Sequence, residues 1–258
     1  GCEYAVMEVS SQGIKMHRTD GLYFDYGIFT NISPDHIGPG EHADFEEYLY
    51  YKTRLLNMCR IGLVNKDDEH AEQIIKAADC ELYTYSEKGK EADFSASDIR
   101  YVSQPDFVGT EFHISGKYDM EVRLGIPGLF NVVNALAAVS VCSFLDLDKE
   151  KISHALEHIR VNGRMEIVYT SERCTVLVDY AHNAVSMESL LSTLRDYKPK
   201  RLVCVFGCGG NRSKDRRYSM GEIGGKLADL SIITADNSRY EKVEDIIADI
   251  RGSIEKTG

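Results

Sequence analysis

The chain has 258 residues, of which 43% are hydrophobic and 28% are charged. That length can form one large domain or two ordinary domains, each with its own core. The net charge of -11 argues against a general nucleic-acid or membrane-surface partner, because phosphate-rich surfaces repel an acidic protein.

Seven cysteines lie along the chain without regular spacing, which fits a reducing compartment better than a disulfide framework. Cys204 and Cys208 are four residues apart and no second pair matches them, so a zinc site is not expected. No apolar run approaches the ~20 residues of a membrane span, and no signal peptide opens the chain. We expect a cytoplasmic protein.

The first predicted element is a buried strand from Tyr4 to Val9, followed by the loop Ser10-Ser11-Gln12-Gly13. The serines of this loop are typical turn formers, although their hydroxyls could also bind a ligand. A second apolar strand runs from Tyr26 to Thr30 and leads into Asp35 and His36.

A predicted helix beginning at Ala43 carries Lys52 on its apolar face. The apolar residues of that face recur at three- and four-residue spacing, and they are Phe45, Tyr48, Leu49, Leu56 and Cys59. Burial of an unpaired ammonium is costly, so Lys52 must snorkel, pair with an acid, lose its charge or be chemically modified. Glu8 lies at the end of the first predicted strand and His36 follows the second, which favours a cluster of Glu, His and Lys at strand ends.

The next elements predict a parallel sheet. A strand from Ile61 to Val64 ends at Asn65-Lys66-Asp67-Asp68, and a helix from Glu69 to Ala78 leads to a strand from Glu81 to Tyr85. This alternation of strand and helix indicates right-handed crossovers. From Phe94 to Leu124 the pattern changes to alternating segments, which we interpret as an antiparallel appendage of the sheet.

Gly125-Ile126-Pro127-Gly128 interrupts the chain before a predicted helix from Phe130 to Phe144. Asn131 and Asn134 lie on one face of that helix. An asparagine near a helix start is more often a cap than a ligand. A helix from Asp148 to His158 closes this part of the chain.

A second region of strands and helices follows the predicted domain junction from Val161 to Glu166. Its elements are the strands Ile167 to Thr170, Thr175 to Asp179, Arg201 to Phe206 and Leu230 to Thr234, and the helices Ser186 to Tyr197 and Ser219 to Ala228. Such an open sheet places ligands above its carboxyl edge. Asp179 ends a strand, where an acid is a common partner of ribose or metal and also a common helix cap.

The segment Gly207-Cys208-Gly209-Gly210 lies between a strand and a helix, a setting in which glycine can cradle phosphate. Neither GxxxxGK(S/T) nor GxGxxG is completed there. The basic residues that follow could equally form a solvated face, and they are Arg212, Lys214, Arg216 and Arg217.

Several segments together resemble the Mur ligase family, and within it the MurE branch. They are Glu8-Val9-Ser10-Ser11-Gln12-Gly13, Arg18, Phe29 to His36, Glu47-Tyr48 before Lys52, Gly128 to Asn134, Gly163-Arg164-Met165-Glu166, Val205 to Arg212 and Asp236-Asn237-Ser238-Arg239. The resemblance implies an α/β fold with a central, mostly parallel, ATPase-type domain over residues 1–160 and a Rossmann-like carboxy-terminal domain over residues 161–258. It also implies that the family's P-loop and UDP-binding domain lie outside these residues, which alone are not expected to ligate.

In the family the lysine that matches Lys52 is carbamylated, so that a carboxylate replaces its ammonium. The resemblance therefore implies a catalytic magnesium site formed by Glu8, His36 and the carbamate of Lys52, whose oxygens suit a hard divalent cation. Ser10 and Arg18 would bind the UDP-MurNAc-dipeptide substrate, with Arg18 offering a guanidinium fork to carboxylate or phosphate.

The resemblance further assigns ATP to Asn134 at the adenine, Arg164 at a phosphate and Asp179 at the ribose. The incoming amino acid would be bound by Arg212, Asp236, Asn237, Ser238 and Arg239. In the family an Asp-Asn-Pro-Arg tetrad accompanies meso-diaminopimelate, whose second carboxylate the arginine holds. This chain retains that arginine but has Ser238 in place of the proline.

The function implied is an ATP-dependent amide ligase that adds a diamino acid, in our interpretation meso-diaminopimelate, to UDP-MurNAc-L-Ala-D-Glu through an acyl phosphate. The alternatives are an L-lysine-adding member, another Mur-type ligase such as a folylpolyglutamate synthase relative, and a non-catalytic binding module. The implied cofactors are ATP and magnesium, the partners are these small molecules rather than nucleic acid or membrane, and we expect a monomer.

Overall fold

The computed structural model of the protein describes residues 1–34, 37, 38 and 40–258. The chain forms two compact units. The first consists of Gly1–Arg100, Glu111–Leu124 and Phe130–His158, and the second of Tyr101–Thr110, Gly125–Leu129 and Ile159–Gly258. No helix in the described ranges is long and apolar enough to cross a membrane. The predicted domain limits at residues 160 and 161 stay a prediction.

One sheet has six strands, which adjoin one another in chain order. They are β1 (Phe24–Phe29), β2 (Cys59–Asn65), β3 (Glu81–Ser86), β4 (Phe94–Ser103), β5 (Val108–Gly116) and β6 (Met120–Leu124). β1 pairs in parallel with β2, β2 with β3, and β3 with β4. The predicted parallel sheet is confirmed, and the segments interpreted as its appendage continue the same sheet.

Five helices accompany these strands. They are α1 (Ser11–Lys15), α2 (Phe45–Thr53), α3 (Ala71–Ala77), α4 (Leu129–Phe144) and α5 (Lys149–His158). Asp44 caps α2 by accepting a hydrogen bond from the Glu47 N–H at 2.8 Å. The acidic residues in the first turn stabilise the helix further, because their negative charge lies at the positive end of the helix dipole. α2 therefore begins two residues after the predicted start at Ala43.

The core beside β1 and β2 is apolar and fully packed. Its buried residues are Phe29, Ile32, Tyr48, Leu49, Leu56, Cys59, Val64, Ala71 and Ile74. β2 is buried at every position but one, as expected for a central parallel strand covered on both faces. The predicted apolar face of α2 thus packs against the sheet edge at which β1 ends.

Two sequence predictions about this unit are wrong. Residues 4–9 form no strand, and Val6 is fully exposed. Their apolar pattern suits a strand, but a strand needs a hydrogen-bonded neighbour, and in the described sheet β1 pairs with β2 instead. Cys59 belongs to β2 rather than to the helix, because a single 3₁₀ turn, Arg54–Asn57, ends the helical segment before it.

The second unit contains two small sheets and three helices. Their elements are β7 (Glu166–Thr170), β8 (Thr175–Val178), α6 (Ala184–Asp196), β9 (Val203–Phe206), α7 (Lys214–Leu227), β10 (Leu230–Ile233) and α8 (Val243–Ile254). β7 and β8 pair antiparallel, whereas β9 and β10 pair in parallel. The predicted parallel unit of strand, helix and strand is confirmed in β9, α7 and β10.

α7 begins five residues before the predicted start at Ser219. Its cap is Ser213, whose hydroxyl accepts a hydrogen bond from the Asp215 N–H at 3.2 Å. The earlier start places Arg216 and Arg217 in the helix instead of in a solvated loop.

Tyr197 explains why two short segments belong to the second unit. Its hydroxyl donates to the carbonyl oxygen of Gly109 at 3.0 Å, lies 3.0 Å from the Thr110 hydroxyl, and accepts from the Gly128 N–H at 3.1 Å. Burial raises the pKa of Tyr197, so the hydroxyl keeps its proton and remains a donor.

Candidate functional site

Lys52 occupies the last turn of α2, where its side chain is half-buried. Its Nζ donates to the carbonyl oxygen of Asn31 at 2.8 Å and lies 5.7 Å and 5.5 Å from the ring centres of Phe29 and Tyr48. Burial lowers the pKa of Lys52, and the nearby charge of Asp68 partly offsets this effect. A larger fraction of the amine is thus neutral, which is the form that reacts with carbon dioxide to give a carbamate.

Three side chains that the sequence reasoning missed hold the backbone from residue 29 to residue 32. Tyr85 donates its hydroxyl proton to the Phe29 carbonyl at 3.0 Å, and Asn65 donates an amide proton to the Thr30 carbonyl at 2.9 Å. The carboxylate of Asp68 accepts from the Ile32 N–H at 2.7 Å. The polar run at the end of β2 was the signal, because neighbouring parallel strands end at the same sheet edge.

Of the predicted magnesium ligands, the structure describes Glu8 and Lys52 but not His36. Glu8 is exposed in the extended segment before α1, whereas His36 lies outside the described residues. Among the residues that are described, no three His, Cys, Asp or Glu side chains come together as a metal-binding group. The set of Glu8, His36 and Lys52 therefore stays a prediction.

The two predicted dipeptide-substrate ligands flank α1. Ser10 caps that helix, since its hydroxyl accepts from the Gly13 N–H at 3.0 Å, which is the turn-forming role expected from composition. Arg18 is exposed, and its Nη2 lies 3.5 Å from the sulfur of Met16. Lys15, between them, forms an ion pair with Glu47 at 2.8 Å, which fastens α1 to α2.

The three predicted ATP ligands lie in two places. Asn134 is exposed on α4, six residues into the helix, and so does not act as its cap. Asp179 directly follows β8, and one of its carboxylate oxygens accepts from the Met165 N–H and the other from the Ala181 N–H, both at 2.8 Å. Asp179 therefore holds the backbone beside Arg164. The Arg164 guanidinium lies 4.6 Å from the centre of the Tyr180 ring.

The predicted amino-acid ligands are brought together by two loops, at the carboxyl ends of β9 and β10. We call residues 207–212 the glycine loop and residues 236–239 the tetrad. The Gly210 N–H donates to the Asn237 carbonyl at 2.8 Å. A Cβ atom on Gly210 would lie 1.8 Å from the Ser238 carbonyl oxygen. Only glycine permits this approach, so the glycine loop fits the tetrad rather than a phosphate.

Polar groups on these two loops remain available to a ligand. Arg212, Asp236, Asn237 and Arg239 are exposed, and Ser238 is half-buried. The backbone of Arg239 has a φ of 51°, a conformation that only a rigid surrounding structure maintains in a residue other than glycine. Two guanidinium groups and a carboxylate on adjoining loops suit a ligand that carries both carboxylate and ammonium groups.

Sequence profiles of known families match both parts of the chain. The profile described as "Mur ligase middle domain" matches residues 1–142, and "Mur ligase, glutamate ligase domain" matches residues 163–257. A protein of Caldanaerobacter subterraneus subsp. tengcongensis named UDP-N-acetylmuramoyl-L-alanyl-D-glutamate–2,6-diaminopimelate ligase is 38% identical over 100% of this chain and 52% of its own length. The second ligase of that name from Clostridium acetobutylicum is 41% identical over 97% of this chain and 51% of its own length.

Solved structures give the same likeness. A structure described as a UDP-N-acetylmuramoyl-L-alanyl-D-glutamate–2,6-diaminopimelate ligase has a TM-score of 0.73 and 30% identity, and covers 97% of this chain and 52% of that one. The UDP-N-acetylmuramate-alanine ligase of Thermotoga maritima shares the fold, with a TM-score of 0.67, 22% identity and coverage of 91% of this chain and 49% of that one. The chain spans about half the length of the curated relatives that it matches.

Proposed function

Because this chain belongs to the Mur ligase family, we propose that it supplies the ATP-binding and amino-acid-binding parts of an amide ligase that joins meso-diaminopimelate to UDP-MurNAc-L-Ala-D-Glu. The observation that carries the proposal is the junction of the glycine loop with the tetrad, through which the loops that carry Arg212 and Arg239 adjoin. The two substrates are taken from the names of relatives that are 36% to 41% identical to this chain.

The proposed reaction has two steps. First, an oxygen of the D-glutamyl carboxylate attacks the γ-phosphorus of ATP, the bond to the β-phosphate oxygen breaks, and ADP leaves. Second, the amine of the diamino acid attacks the resulting acyl phosphate, an amide bond forms, and inorganic phosphate leaves with one oxygen of the original carboxylate. The amine must be neutral when it attacks, so one proton is released.

The amino-acid end of this reaction is supported by charge. A diamino acid with two carboxylates carries one carboxylate more than lysine does. Arg239 offers a planar pair of donors to that group, and Arg212 lies on the adjoining loop. Asp236, Asn237 and Ser238 remain for the ammonium and the amide contacts. If the substrate lacked the second carboxylate, the guanidinium would lose its partner.

The ATP end is assigned to Asn134, Arg164 and Asp179. Asp179 uses each carboxylate oxygen once for a backbone N–H, which leaves further lone pairs for the hydroxyls of a ribose. Arg164 rests against the Tyr180 ring and can extend a guanidinium to a phosphate. Ser10 and Arg18 stay our proposed contacts to the UDP-MurNAc-dipeptide.

A magnesium ion would be held by Glu8, His36 and the carbamate of Lys52. The donor chemistry fits, since the Lys52 amine has a lowered pKa that favours its conversion to a carboxylate-like oxygen donor, and Glu8 is exposed. When bound, the ion would neutralise negative charge on the phosphates. A cytoplasmic, monomeric enzyme remains our expectation.

The test uses the complete gene product that contains this chain, incubated with ATP, magnesium, meso-diaminopimelate and UDP-MurNAc-L-Ala-D-Glu labelled with oxygen-18 in the glutamyl carboxylate. We expect the amide product by mass spectrometry and one labelled oxygen in the inorganic phosphate. A product without label in phosphate would contradict the acyl phosphate. No ATP-dependent product would contradict the ligase itself.

A further inference from the structure

Among the described residues, Arg217 is the largest fully buried side chain, with 1% of its surface exposed. A buried charge is costly unless it is paired and hydrogen-bonded. Arg217 meets this requirement with two carboxylates. Its Nη2 donates to both carboxylate oxygens of Glu241, at 2.7 and 2.8 Å, and its Nη1 donates to Asp249 at 3.0 Å.

Glu241 connects this guanidinium to both ligand-carrying loops. It follows the tetrad by two residues, and its carboxylate also accepts a hydrogen bond from the Asn211 N–H in the glycine loop. In return, the Tyr240 N–H donates to the Asn211 side chain at 3.1 Å. The neighbour of Arg212, Asn211, is thereby bound to the Glu241 carboxylate, and the neighbour of Arg239, Tyr240, is bound to the side chain of Asn211.

Asp249 gives the guanidinium its second attachment, on α8. Arg217 itself lies in α7, so its fork ties two helices to the chain segment that follows the tetrad. The hydrogen bonds from Arg217 lower the pKa of both Glu241 and Asp249, so both carboxylates remain ionised at neutral pH. A buried ion pair adds little net stability compared with apolar packing, so a role in fixing geometry better explains the arrangement.

We propose that Arg217, acting through Glu241, is a positioning residue for diamino-acid binding: it sets the separation of the glycine loop from the tetrad, and so of Arg212 from Arg239. This inference rests on the proposed function. Because Arg217 is buried, we expect it to act on the amino acid only through Glu241. Its loss is therefore expected to raise the KM for the diamino acid.

The test compares Glu241→Ala, Glu241→Gln and Arg217→Lys in the complete gene product. Arg217 keeps its pair with Asp249 in the Glu241 variants, so these variants are expected to fold. Glu241→Ala removes the acceptor of the Asn211 N–H, and we expect the KM for the diamino acid to rise about tenfold, the factor that corresponds to one hydrogen bond to a charged group. Glu241→Gln retains an acceptor oxygen, so its KM for the diamino acid should rise less than that of Glu241→Ala. Arg217→Lys keeps the charge but loses the fork, and should raise the same KM.

The control is Arg195→Gln, which removes another arginine–carboxylate pair of the same unit, Arg195 with Asp229 at 3.0 Å. That pair lies at the amino ends of β9 and β10, away from both loops. The KM for ATP should stay within about twofold in all variants, because each hydrogen bond acts locally. Hydrogen exchange of the Asn211 and Tyr240 amides should accelerate in Glu241→Ala and not in the control.

The outcomes separate this inference from the proposed function. A wild type that ligates the diamino acid while Glu241→Ala leaves its KM within about twofold overturns the inference alone. A rise in the KM values for ATP and amino acid together overturns it as well, because that pattern indicates general loss of structure. A wild type that ligates no diamino acid overturns the proposed function, and the inference with it.

Discussion

The Nζ atom of Lys52 lies 2.8 Å from the carbonyl oxygen of Asn31, in the loop that leaves β1. The contact places the amine at the carboxyl end of a parallel strand, where α/β proteins bind their ligands. Burial lowers its pKa, and the rings of Phe29 and Tyr48 lie within 6 Å of the amine. Lys52 is therefore held in position by neighbours rather than extended into solvent.

The first prediction concerns the carbamate of Lys52. Lys52→Ala in the complete gene product should reduce ligation about 100-fold or more, because charge stabilisation by a held metal is worth several kcal/mol. Millimolar bicarbonate should not restore the alanine variant, whereas a short-chain carboxylic acid should restore part of the rate. Lys76→Ala, which removes an exposed lysine of α3, is the control. A Lys52→Ala enzyme with a near-normal rate would contradict the proposal that Lys52 acts as a carbamate.

The second prediction compares two neighbouring glycines of the glycine loop. A Cβ on Gly210 would lie 1.8 Å from the Ser238 carbonyl oxygen, whereas a Cβ on Gly209 would lie 3.6 Å from the Asn237 carbonyl oxygen. Gly210→Ala must move the tetrad, so we expect a loss of about 1–3 kcal/mol of unfolding free energy and a raised KM for the diamino acid.

Gly209→Ala serves as the matched control and should change the unfolding free energy by no more than about 0.5 kcal/mol. Urea denaturation and steady-state kinetics of the two variants give the comparison. Equal behaviour of the two alanine variants would show that the approach of Gly210 to Ser238 has no bearing on binding.

The third prediction is a pH dependence of stability. The pKa of Glu241 lies below its ordinary value of 4.5 and that of Asp249 below 3.8, chiefly because Arg217 donates hydrogen bonds to both. The unfolded chain binds protons more readily at these two groups, so their contribution to stability is full above the ordinary pKa values. It is lost as the pH falls through the lowered ones.

Urea denaturation of wild type and Glu241→Gln between about pH 6 and pH 3 measures this contribution. The difference in unfolding free energy between the two proteins should shrink as the pH falls. Asp249 retains its own pairs with Arg217 and Lys214 in both proteins, so it cancels in the comparison. A difference that is constant over the whole pH range would contradict the ionic link between Arg217 and Glu241.

Local patterns predicted much of the fold. The strands β1, β2 and β3 and the parallel unit of β9, α7 and β10 follow from apolar runs bounded by polar residues, which is information carried within a few residues. The segment from Tyr4 to Val9 has the same pattern and forms no strand. Whether such a run forms a strand depends on a neighbouring strand, and no local pattern contains that partner.

The site residues also divide into those that local patterns predict and those that depend on partners distant in the chain. Lys52 and the glycine loop were found because a charge on an apolar face and clustered glycines are local signals. For Arg217 the sequence left a solvated face open, because it predicts a helix only from Ser219, whereas α7 is capped by Ser213 and includes Arg217. Its partners are 24 and 32 residues away in the chain, a separation that only the structure brings together.

The measurement that tests the account most directly is competition between meso-diaminopimelate and L-lysine in the complete gene product, for wild type and Arg239→Ala. Arg239 loses its partner when lysine binds, so wild type should prefer meso-diaminopimelate about 100-fold or more, and Arg239→Ala should lose at least about tenfold of that preference. Arg216→Ala, which removes a nearby half-buried arginine, should keep it. A wild type that prefers lysine, or an Arg239→Ala variant with unchanged preference, would contradict the account.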